Sequence, residues 1–373
     1  MTAAQATGST SERLAGIQIL RGVAALMVTW HHAIEEAEYS TYAEALPKWL
    51  LLFGASGVDV FFVLSGFIMM YVTYGNGRRP EAPLSFFMKR SVRIYPFFWS
   101  CCLVTLALWG AGLYRSKVIN PETVTRSLLL VPQEHLLITA SWTLVYEMYF
   151  YCIFGLTLLL RSKKASVVVT TASILLLNGL SGFLPDPTLA TFLGNEVAFE
   201  FCFGLLIGWA CTTGRSSSAR LGKQQSTGVF VATVSAALCL IALAGVYLPA
   251  DGTGSLDEPW RFIGWGVPAA MLVGAAIDYR PSQGWWATWG MRMGDASYAI
   301  YLTHGFLMTG YAKALRLFPD LAERRQWPLI TLVIAASLGG GYLAHRLVEL
   351  PLTRVVRSTF GRAFAPRAVR VGQ

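Results

Sequence analysis

Two ionisable residues lie eleven positions apart inside an apolar stretch near the start of the sequence. The stretch reads LRGVAALMVTWHH, from Leu20 to His32, and contains Arg21 and the adjacent pair His31 and His32. Eleven residues make almost three whole helical turns, so Arg21 and His32 share a face, about 16 Å apart along the axis, and His31 is rotated off that face. Histidine titrates near neutral pH and can move protons. The alternative is that Arg21 reaches an interface and His32 only packs between helices.

Carboxylates in two other apolar stretches are candidate partners for His32. Asp59 and Ser65 belong to GASGVDVFFVLSGFIMM, and Glu147 belongs to SWTLVYEMYFY. A carboxylate beside a histidine orients the ring and raises its basicity. One histidine and two acids at similar depth favour a site formed with Asp59 or Glu147. The alternative for each acid is a hydrogen bond that only joins two helices.

A basic segment precedes the third apolar stretch and reads FFMKRSVRIYP. Arg90 and Arg93 are three residues apart, so they are neighbours on one helix face, with Lys89 beside them. The planar guanidinium group is suited to phosphate oxygens and stays charged. The alternative is that these cations only mark a cytoplasmic loop.

A second histidine follows two tyrosines at helical spacing in GDASYAIYLTHG. Tyr298, Tyr301 and His304 are each three residues apart and lie along one face. They are candidates for lining a substrate path, with Ser65 from the second stretch. Packing and hydrogen bonding between helices is the favoured interpretation for such residues.

The elements that position these residues are membrane-spanning helices. Of the 373 residues, 54% are hydrophobic and 14% charged, and the mean hydropathy is +0.49. These values exclude an ordinary soluble domain. A span needs roughly 20 apolar residues, and about ten such windows can be placed. They lie near 16–35, 52–73, 93–114, 141–160, 166–184, 196–213, 227–248, 260–278, 295–314 and 327–348.

Alternate joints between these windows are rich in lysine and arginine, which predicts that they are cytoplasmic. The cations concerned are Arg78, Arg79, Lys89, Arg90, Arg93, Arg161, Lys163, Lys164, Arg215, Arg220, Lys223, Arg280 and Arg292. With an even number of spans, both termini are predicted to be cytoplasmic. This topology accounts for the net charge of +9 without any nucleic acid.

The chain is predicted to form one all-α transmembrane domain over residues 1–373. Residues 1–15 form a polar N-terminal segment, and residues 352–373 form a basic cytoplasmic tail. The six cysteines have no metal-type spacing, and no internal repeat is visible. We therefore expect a multi-pass protein whose chemistry needs no metal.

Five of these motifs occur in the order seen in the acyltransferase family three membrane proteins. They are LRGVAALMVTWHH, GVDVFFVLSGF, KRSVRIYPFFW, SWTLVYEMYFY and GDASYAIYLTH. The chain resembles the bacterial exopolysaccharide acyltransferases of that family over most of its length. The family pattern, an arginine followed eleven residues later by a histidine, selects Arg21 and His32. Its paired arginines map to Arg90 and Arg93, and Glu147 is the only acid in a motif that often has two.

The resemblance implies acyl-coenzyme A as donor, with acetyl-CoA as the first expectation. Arg90 and Arg93 would bind its phosphates, and Arg21 would line the path of the pantetheine arm. His32 would act as general base on an acceptor hydroxyl or first take the acyl group itself, with Asp59 or Glu147 orienting its ring. The acceptor would be a surface or secreted polysaccharide or its lipid-linked precursor, and the location the bacterial cytoplasmic membrane.

Two other classes of function share this composition. A transporter or flippase for a sugar or lipid-linked intermediate also has charged residues inside spans, and consumption of acyl-CoA distinguishes it from an acyltransferase. A non-catalytic membrane subunit would leave Arg21, His32, Asp59 and Glu147 unexplained. The acyl group, acetyl or succinyl, the acceptor and the oligomeric state stay open.

Overall fold

The computed structural model describes residues 14–41, 47–75, 79–114, 117–213, 227–250, 254–282, 284–319 and 326–359. Within these ranges the chain is helical apart from its loops, and the β structure there amounts to an isolated bridge between Ala250 and Leu256. The predicted all-α architecture is confirmed for this part of the chain.

Helices of the described ranges are numbered α1 to α14, and each of the ten predicted windows overlaps at least one of them. In chain order they are α1 (Ala15–Thr41), α2 (Lys48–Ala55), α3 (Gly57–Tyr74), α4 (Pro83–Gly110), α5 (Pro121–Leu129), α6 (Trp142–Thr157), α7 (Lys163–Leu180), α8 (Pro187–Gly194), α9 (Phe199–Thr212), α10 (Thr227–Tyr247), α11 (Val267–Asp278), α12 (Trp285–Leu317), α13 (Gln326–Ala344) and α14 (Leu350–Thr359). Two π-helical turns, Phe262–Gly266 and His345–Glu349, precede α11 and α14.

Several of these helices are suited to a membrane. By length and apolar composition, six helical segments of the described chain could cross one, or seven if the bent pair Pro187–Gly194 and Glu196–Thr212 is a single span. This is consistent with a membrane protein. Helices α1 and α12 are also long, but ionisable residues interrupt their apolar sequence. Ten spans and cytoplasmic termini therefore stay predictions.

Some residues used for the topology prediction lie outside the described ranges. They include Arg78, Arg215, Arg220 and Lys223, together with residues 1–13 and 360–373. The described start of the predicted basic tail, up to residue 359, belongs to α14.

Helix α1 packs lengthwise against α12, and glycine permits the contact. A Cβ atom on Gly294 of α12 would lie 1.9 Å from the backbone oxygen of Gln18, and one on Gly22 would lie 3.0 Å from the backbone nitrogen of Gly294. Small residues allow helix backbones to approach this closely. The approach places the neighbours of Arg21 on α1 directly against α12.

A buried aromatic cluster fixes α3, α6 and α9 relative to one another. The rings of Phe150 and Phe201 stack with centroids 4.4 Å apart, and Phe62 lies 4.8 Å from Phe201. Stacked aromatic pairs stabilise a core beyond the area that they bury. This cluster anchors α6, which carries Glu147, against α3, which carries Asp59 and Ser65.

Candidate active site

A cavity of about 510 Å³ lies where α1, α3, α4, α6 and α12 meet. We call it the arginine cavity, because its charged lining holds four arginines and two carboxylates. These are Arg21, Arg90, Arg93, Arg346, Glu147 and Asp295. The cationic excess and the forked guanidinium groups are suited to an anionic ligand such as a phosphate. The structure thus brings together the three arginines predicted to bind the cofactor, Arg21, Arg90 and Arg93.

Arg21 is held at this cavity by a short relay from α12. Its Nη1 donates to Oε1 of Gln18 at 3.0 Å, and Nε2 of Gln18 donates to Oδ1 of Asp295. Gln18 lies one turn before Arg21, and Asp295 follows the close contact at Gly294. The relay orients the guanidinium group toward the cavity.

Arg90 is supported by aromatic rings. Its guanidinium carbon lies 5.5 Å from the ring centroid of Phe86 and 5.8 Å from that of Tyr151. Its Nε is buried and has no hydrogen-bond partner among the described residues. Cation–π contacts orient a guanidinium group without using its N–H donors, so the two rings hold Arg90 at the cavity and leave Nε unpaired among the described residues.

Arg93 interacts with the π-helical turn before α14. Its Nη1 lies 3.8 Å from Oε1 of Glu349, and Nδ1 of His345 lies 2.7 Å from Oε2 of the same carboxylate. Both His345 and Glu349 are buried. One carboxylate therefore connects the C-terminal segment to α4.

Glu147 belongs to the arginine cavity. Its Oε1 accepts hydrogen bonds from Ser65 at 3.3 Å and from Tyr151. Ser65 and Tyr298 also line this cavity, and the hydroxyl of Tyr298 donates to the backbone oxygen of Ile94 at 2.8 Å. Tyr298 thereby joins α12 to the helix that carries Arg90 and Arg93.

A second cavity, of about 270 Å³, lies around the C-terminal half of α1. We call it the histidine cavity. Its ionisable and aromatic lining includes His32, Glu35, Glu36, Lys117, Trp142 and His304. A single helix, α1, thus supplies Arg21 to one cavity and His32 to the other.

His32 forms a hydrogen-bonded pair with a carboxylate one turn further along α1. Its Nδ1 lies 2.8 Å from Oε2 of Glu35. A carboxylate accepts, so Nδ1 carries a proton, and in the neutral form of this tautomer Nε2 has a lone pair. The side chain of His32 is 34% exposed, which gives a ligand access to that nitrogen. In the described residues the carboxylate bonded to His32 is therefore Glu35, which corrects the predicted orientation by Asp59 or Glu147.

Two further histidine rings contact His32. His304 stacks on it with centroids 5.1 Å apart, and His31 meets it edge-on at 4.8 Å. The Nδ1 of His304 donates to the backbone oxygen of Tyr301 at 2.7 Å, and the Nδ1 of His31 donates to that of Leu51 at 3.0 Å. The three rings pack in fixed orientations beside the cavity.

A lysine from the loop between α4 and α5 also borders the histidine cavity. The Nζ of Lys117 donates to Oγ1 of Thr139 at 3.3 Å and to the backbone oxygen of Leu136 at 3.4 Å. Burial lowers the pKa of Lys117, because desolvation disfavours the charged form. The ammonium group is the cation of this cavity lining.

Asp59 lies in a different ionic cluster. The carboxylate is fully buried and accepts two hydrogen bonds from Arg261, at 3.1 Å from Nε and 3.3 Å from Nη2. The guanidinium group of Arg261 lies between the rings of Trp142 and Trp265, 5.7 and 5.4 Å from their centroids. Asp59 is thus connected to the histidine cavity through Arg261 and Trp142.

One group of described residues has the composition of a metal site. Possible ligand atoms of His31, His32 and Glu35 lie within 4.8 Å of one another. The Nδ1 atoms of both histidines already bond to Leu51 and Glu35, which leaves their Nε2 atoms for any ion. Chemistry without a metal stays a prediction.

Sequence reasoning missed several of these residues. Glu35 and Gln18 are each three positions from a predicted site residue, and Asp295 lies within a quoted motif, so helical spacing could have found them. Arg261 carries no such local signal, because its partner Asp59 lies 202 positions away. Glu349 has a local partner in His345, four positions away, but its contact with Arg93 joins distant parts of the sequence.

Comparisons with known proteins identify the family. A family model described as an acyltransferase domain matches residues 14–346. The exopolysaccharide production protein ExoZ of Rhizobium meliloti is 32% identical, over 81% of this chain and 90% of its own length. The acyltransferase MdmB of Streptomyces mycarofaciens is 27% identical, over 95% of each chain. No solved structure matches. The family match spans nearly the whole chain, and the chain therefore belongs to the acyltransferase family and is an O-acyltransferase.

Proposed function

We propose that the protein transfers an acyl group, acetyl in the first instance, from cytoplasmic acyl-CoA to a hydroxyl of a surface or secreted polysaccharide or its lipid-linked precursor. The observation that carries this proposal is that α1 presents Arg21 to an arginine-rich cavity and His32, paired with Glu35, to a second cavity. The similarity to a protein of exopolysaccharide production supports a glycan acceptor.

The arginine cavity is the proposed donor site. Arg90 and Arg93 bind the phosphates of coenzyme A, and Arg21, placed by Gln18, lines the path of the pantetheine arm. Support comes from the four arginines, which outnumber the two carboxylates of the lining. The volume of about 510 Å³ lies within the usual range of small-molecule sites.

His32 is the proposed general base. Its Nε2 takes the proton of the acceptor hydroxyl as the oxygen attacks the thioester carbonyl. The new carbon–oxygen bond forms, the carbon–sulfur bond breaks, and the thiolate leaves with the proton that His32 took. Glu35 holds the ring and stabilises the imidazolium form between these steps. In a second version of the chemistry, Nε2 attacks the thioester carbonyl and the thiolate leaves. The acceptor oxygen then takes the acyl group from Nε2, and the hydroxyl proton passes to the thiolate.

The remaining predicted residues receive supporting roles. Glu147, with Ser65, borders the donor path opposite the arginines, and Tyr298 holds α12 against α4. His304 packs on His32 and borders the acceptor path. Asp59 positions Arg261 and, through it, Trp142 in the wall of the histidine cavity.

The proposed location is the bacterial cytoplasmic membrane, crossed ten times with both termini in the cytoplasm. The basic joints between the apolar windows support this orientation. The arginine cavity then faces the compartment that holds acyl-CoA, and the histidine cavity lies toward the outside. Nucleic acid has no part in this proposal.

The test uses the full chain in nanodiscs with radiolabelled acetyl-CoA. Thiol release and protein-bound label are measured for wild type, His32→Ala and His135→Ala, a matched control because His135 is exposed and lies outside both cavities. We expect release that is lost in His32→Ala and kept in the control. Protein-bound label in wild type identifies the acyl-histidine version. Tight binding without turnover, even with candidate glycans added, would instead favour a transporter.

A further inference from the structure

The arginine cavity and the histidine cavity are separated by a small set of side chains. Thr143 and Tyr301 line the arginine cavity, whereas Ala140, Trp142 and His304 line the histidine cavity. These residues come from the start of α6 and from the middle of α12. This boundary therefore separates Arg21, Arg90 and Arg93 in the arginine cavity from His32 in the histidine cavity.

Three oxygen atoms close this boundary. The hydroxyl of Thr143 lies 2.9 Å from that of Tyr301 and 3.2 Å from the backbone oxygen of Ala140. The hydroxyl of Tyr301 donates to the same backbone oxygen at 3.0 Å. Both side chains are buried. We call this triangle of Ala140, Thr143 and Tyr301 the constriction.

Other contacts hold the α12 side of the constriction in place. The backbone oxygen of Tyr301 accepts a hydrogen bond from His304, whose ring stacks on His32. The ring of Tyr301 packs against Phe61 with centroids 5.9 Å apart. These contacts hold the backbone and the ring of Tyr301 in place at the boundary between the two cavities.

A donor held by its phosphates at the arginines must present its acyl end at this boundary to reach His32. We propose that Thr143 and Tyr301 seat the acyl group of the donor and select short acyl groups, acetyl above longer chains. The inference rests on the proposed function. In a closely fitted pocket one additional methylene changes selectivity by roughly 10- to 200-fold, so a constriction lined by a threonine and a tyrosine can discriminate acetyl from butyryl.

The experiment compares two substitutions at one position. Thr143→Ala removes the hydroxyl and a methyl group, whereas Thr143→Val removes the hydroxyl and keeps the volume. The full-length protein in nanodiscs is titrated with free coenzyme A, acetyl-CoA, butyryl-CoA and hexanoyl-CoA, and thiol release is followed for the three thioesters. Equilibrium binding needs no acceptor, so each variant yields an acetyl-to-butyryl preference.

We expect wild type to prefer acetyl-CoA by about tenfold or more over butyryl-CoA, and Thr143→Ala to reduce that preference by roughly tenfold. Thr143→Val should keep the wild-type preference. Tyr301→Leu shortens the other side of the constriction and should act like Thr143→Ala, so the result does not depend on the folding of one variant.

The inference is overturned if wild type binds and cleaves hexanoyl-CoA as well as acetyl-CoA. It is also overturned if neither Thr143→Ala nor Tyr301→Leu changes the preference, or if Thr143→Val changes it as much as Thr143→Ala. In each of these cases, binding of free coenzyme A by wild type would still support the proposed donor site. Absence of that binding would overturn the proposed function and this inference together.

Discussion

The arginine cavity draws its charged lining from five helical segments, whereas the histidine cavity has its His32–Glu35 pair within one turn of a single helix. Arg21, Arg90 and Asp295 meet only because α1, α4 and α12 pack together. His32 and Glu35 are three residues apart on α1. The difference teaches that donor binding should depend on helix packing, and that the acid–base pair should depend mainly on α1.

The largest effect on donor binding is expected at Arg90 and Arg93. Hydrogen bonds to charged groups contribute about 1.5–3 kcal/mol each, so Arg90→Ala combined with Arg93→Ala should weaken acetyl-CoA binding by roughly a hundredfold or more. Wild-type binding should weaken with added salt, and the double variant should lose most of that dependence. Isothermal titration at two salt concentrations measures both. If the double variant binds acetyl-CoA with wild-type affinity, the assignment of Arg90 and Arg93 to its phosphates is wrong.

A smaller effect is expected at Glu35. Glu35→Gln keeps an acceptor for Nδ1 of His32 but removes the negative charge that stabilises the imidazolium form. We expect kcat to fall about tenfold or somewhat more, with the affinity for free coenzyme A unchanged. Glu36→Gln on the same helix is the matched control, because His32 bonds to Glu35. Equal loss in the two variants would contradict a specific pair.

The dependence of the arginine cavity on packing can be tested at Gly294. A Cβ atom there would meet the backbone of Gln18 at 1.9 Å, whereas nothing lies within 4 Å of a Cβ on Gly310 in the same helix. Gly294→Ala should destabilise the fold by about 1–3 kcal/mol and weaken coenzyme A binding. Gly310→Ala should leave both unchanged. Thermal unfolding measures the stability of the two variants, and titration with coenzyme A measures their affinity. Equal stability and equal affinity in the two variants would contradict the dependence on packing.

The smallest effect is expected at Tyr298. Tyr298→Phe removes the hydrogen bond to the backbone oxygen of Ile94 while keeping the ring. A loss of about 1 kcal/mol in the free energy of unfolding follows, with a few-fold weaker donor binding because α4 carries Arg90 and Arg93. Denaturant unfolding measures the loss of stability, and titration with coenzyme A measures the donor affinity. An unchanged donor affinity together with a large loss of kcat would move Tyr298 into the chemistry.

The local features of this protein could be predicted from its sequence. Hydropathy located most of the helices, since each predicted window overlaps at least one. Helices α5, α8 and α14 lie outside the windows, and α12 extends well beyond its window of 295–314. Helical periodicity placed Arg21 and His32 on one face, and the same periodicity also pointed to Glu35. Glu35 was nevertheless missed, because partners for His32 were expected on other helices.

The long-range pairs could not be predicted in the same way. Asp59 bonds to Arg261, 202 positions away, and Glu349 reaches Arg93 across most of the chain. Such pairs depend on which helices are neighbours, and hydropathy carries no information about that. The π-helical turn at His345–Glu349 also changes which side chains face α4, so ordinary helical spacing cannot place Glu349.

Arg21 and its neighbours are proposed to bind the donor, and His32, on the same helix α1, is proposed to catalyse the transfer. The most direct test measures both quantities for Arg93→Ala and His32→Ala in the same nanodisc preparation: the affinity for free coenzyme A and the rate of thiol release from saturating acetyl-CoA. We predict that Arg93→Ala weakens binding and keeps much of the saturated rate, while His32→Ala keeps the affinity and loses about 10²- to 10⁴-fold in rate. If the two variants impair the same quantity to the same extent, the proposed separation of donor binding from catalysis is contradicted.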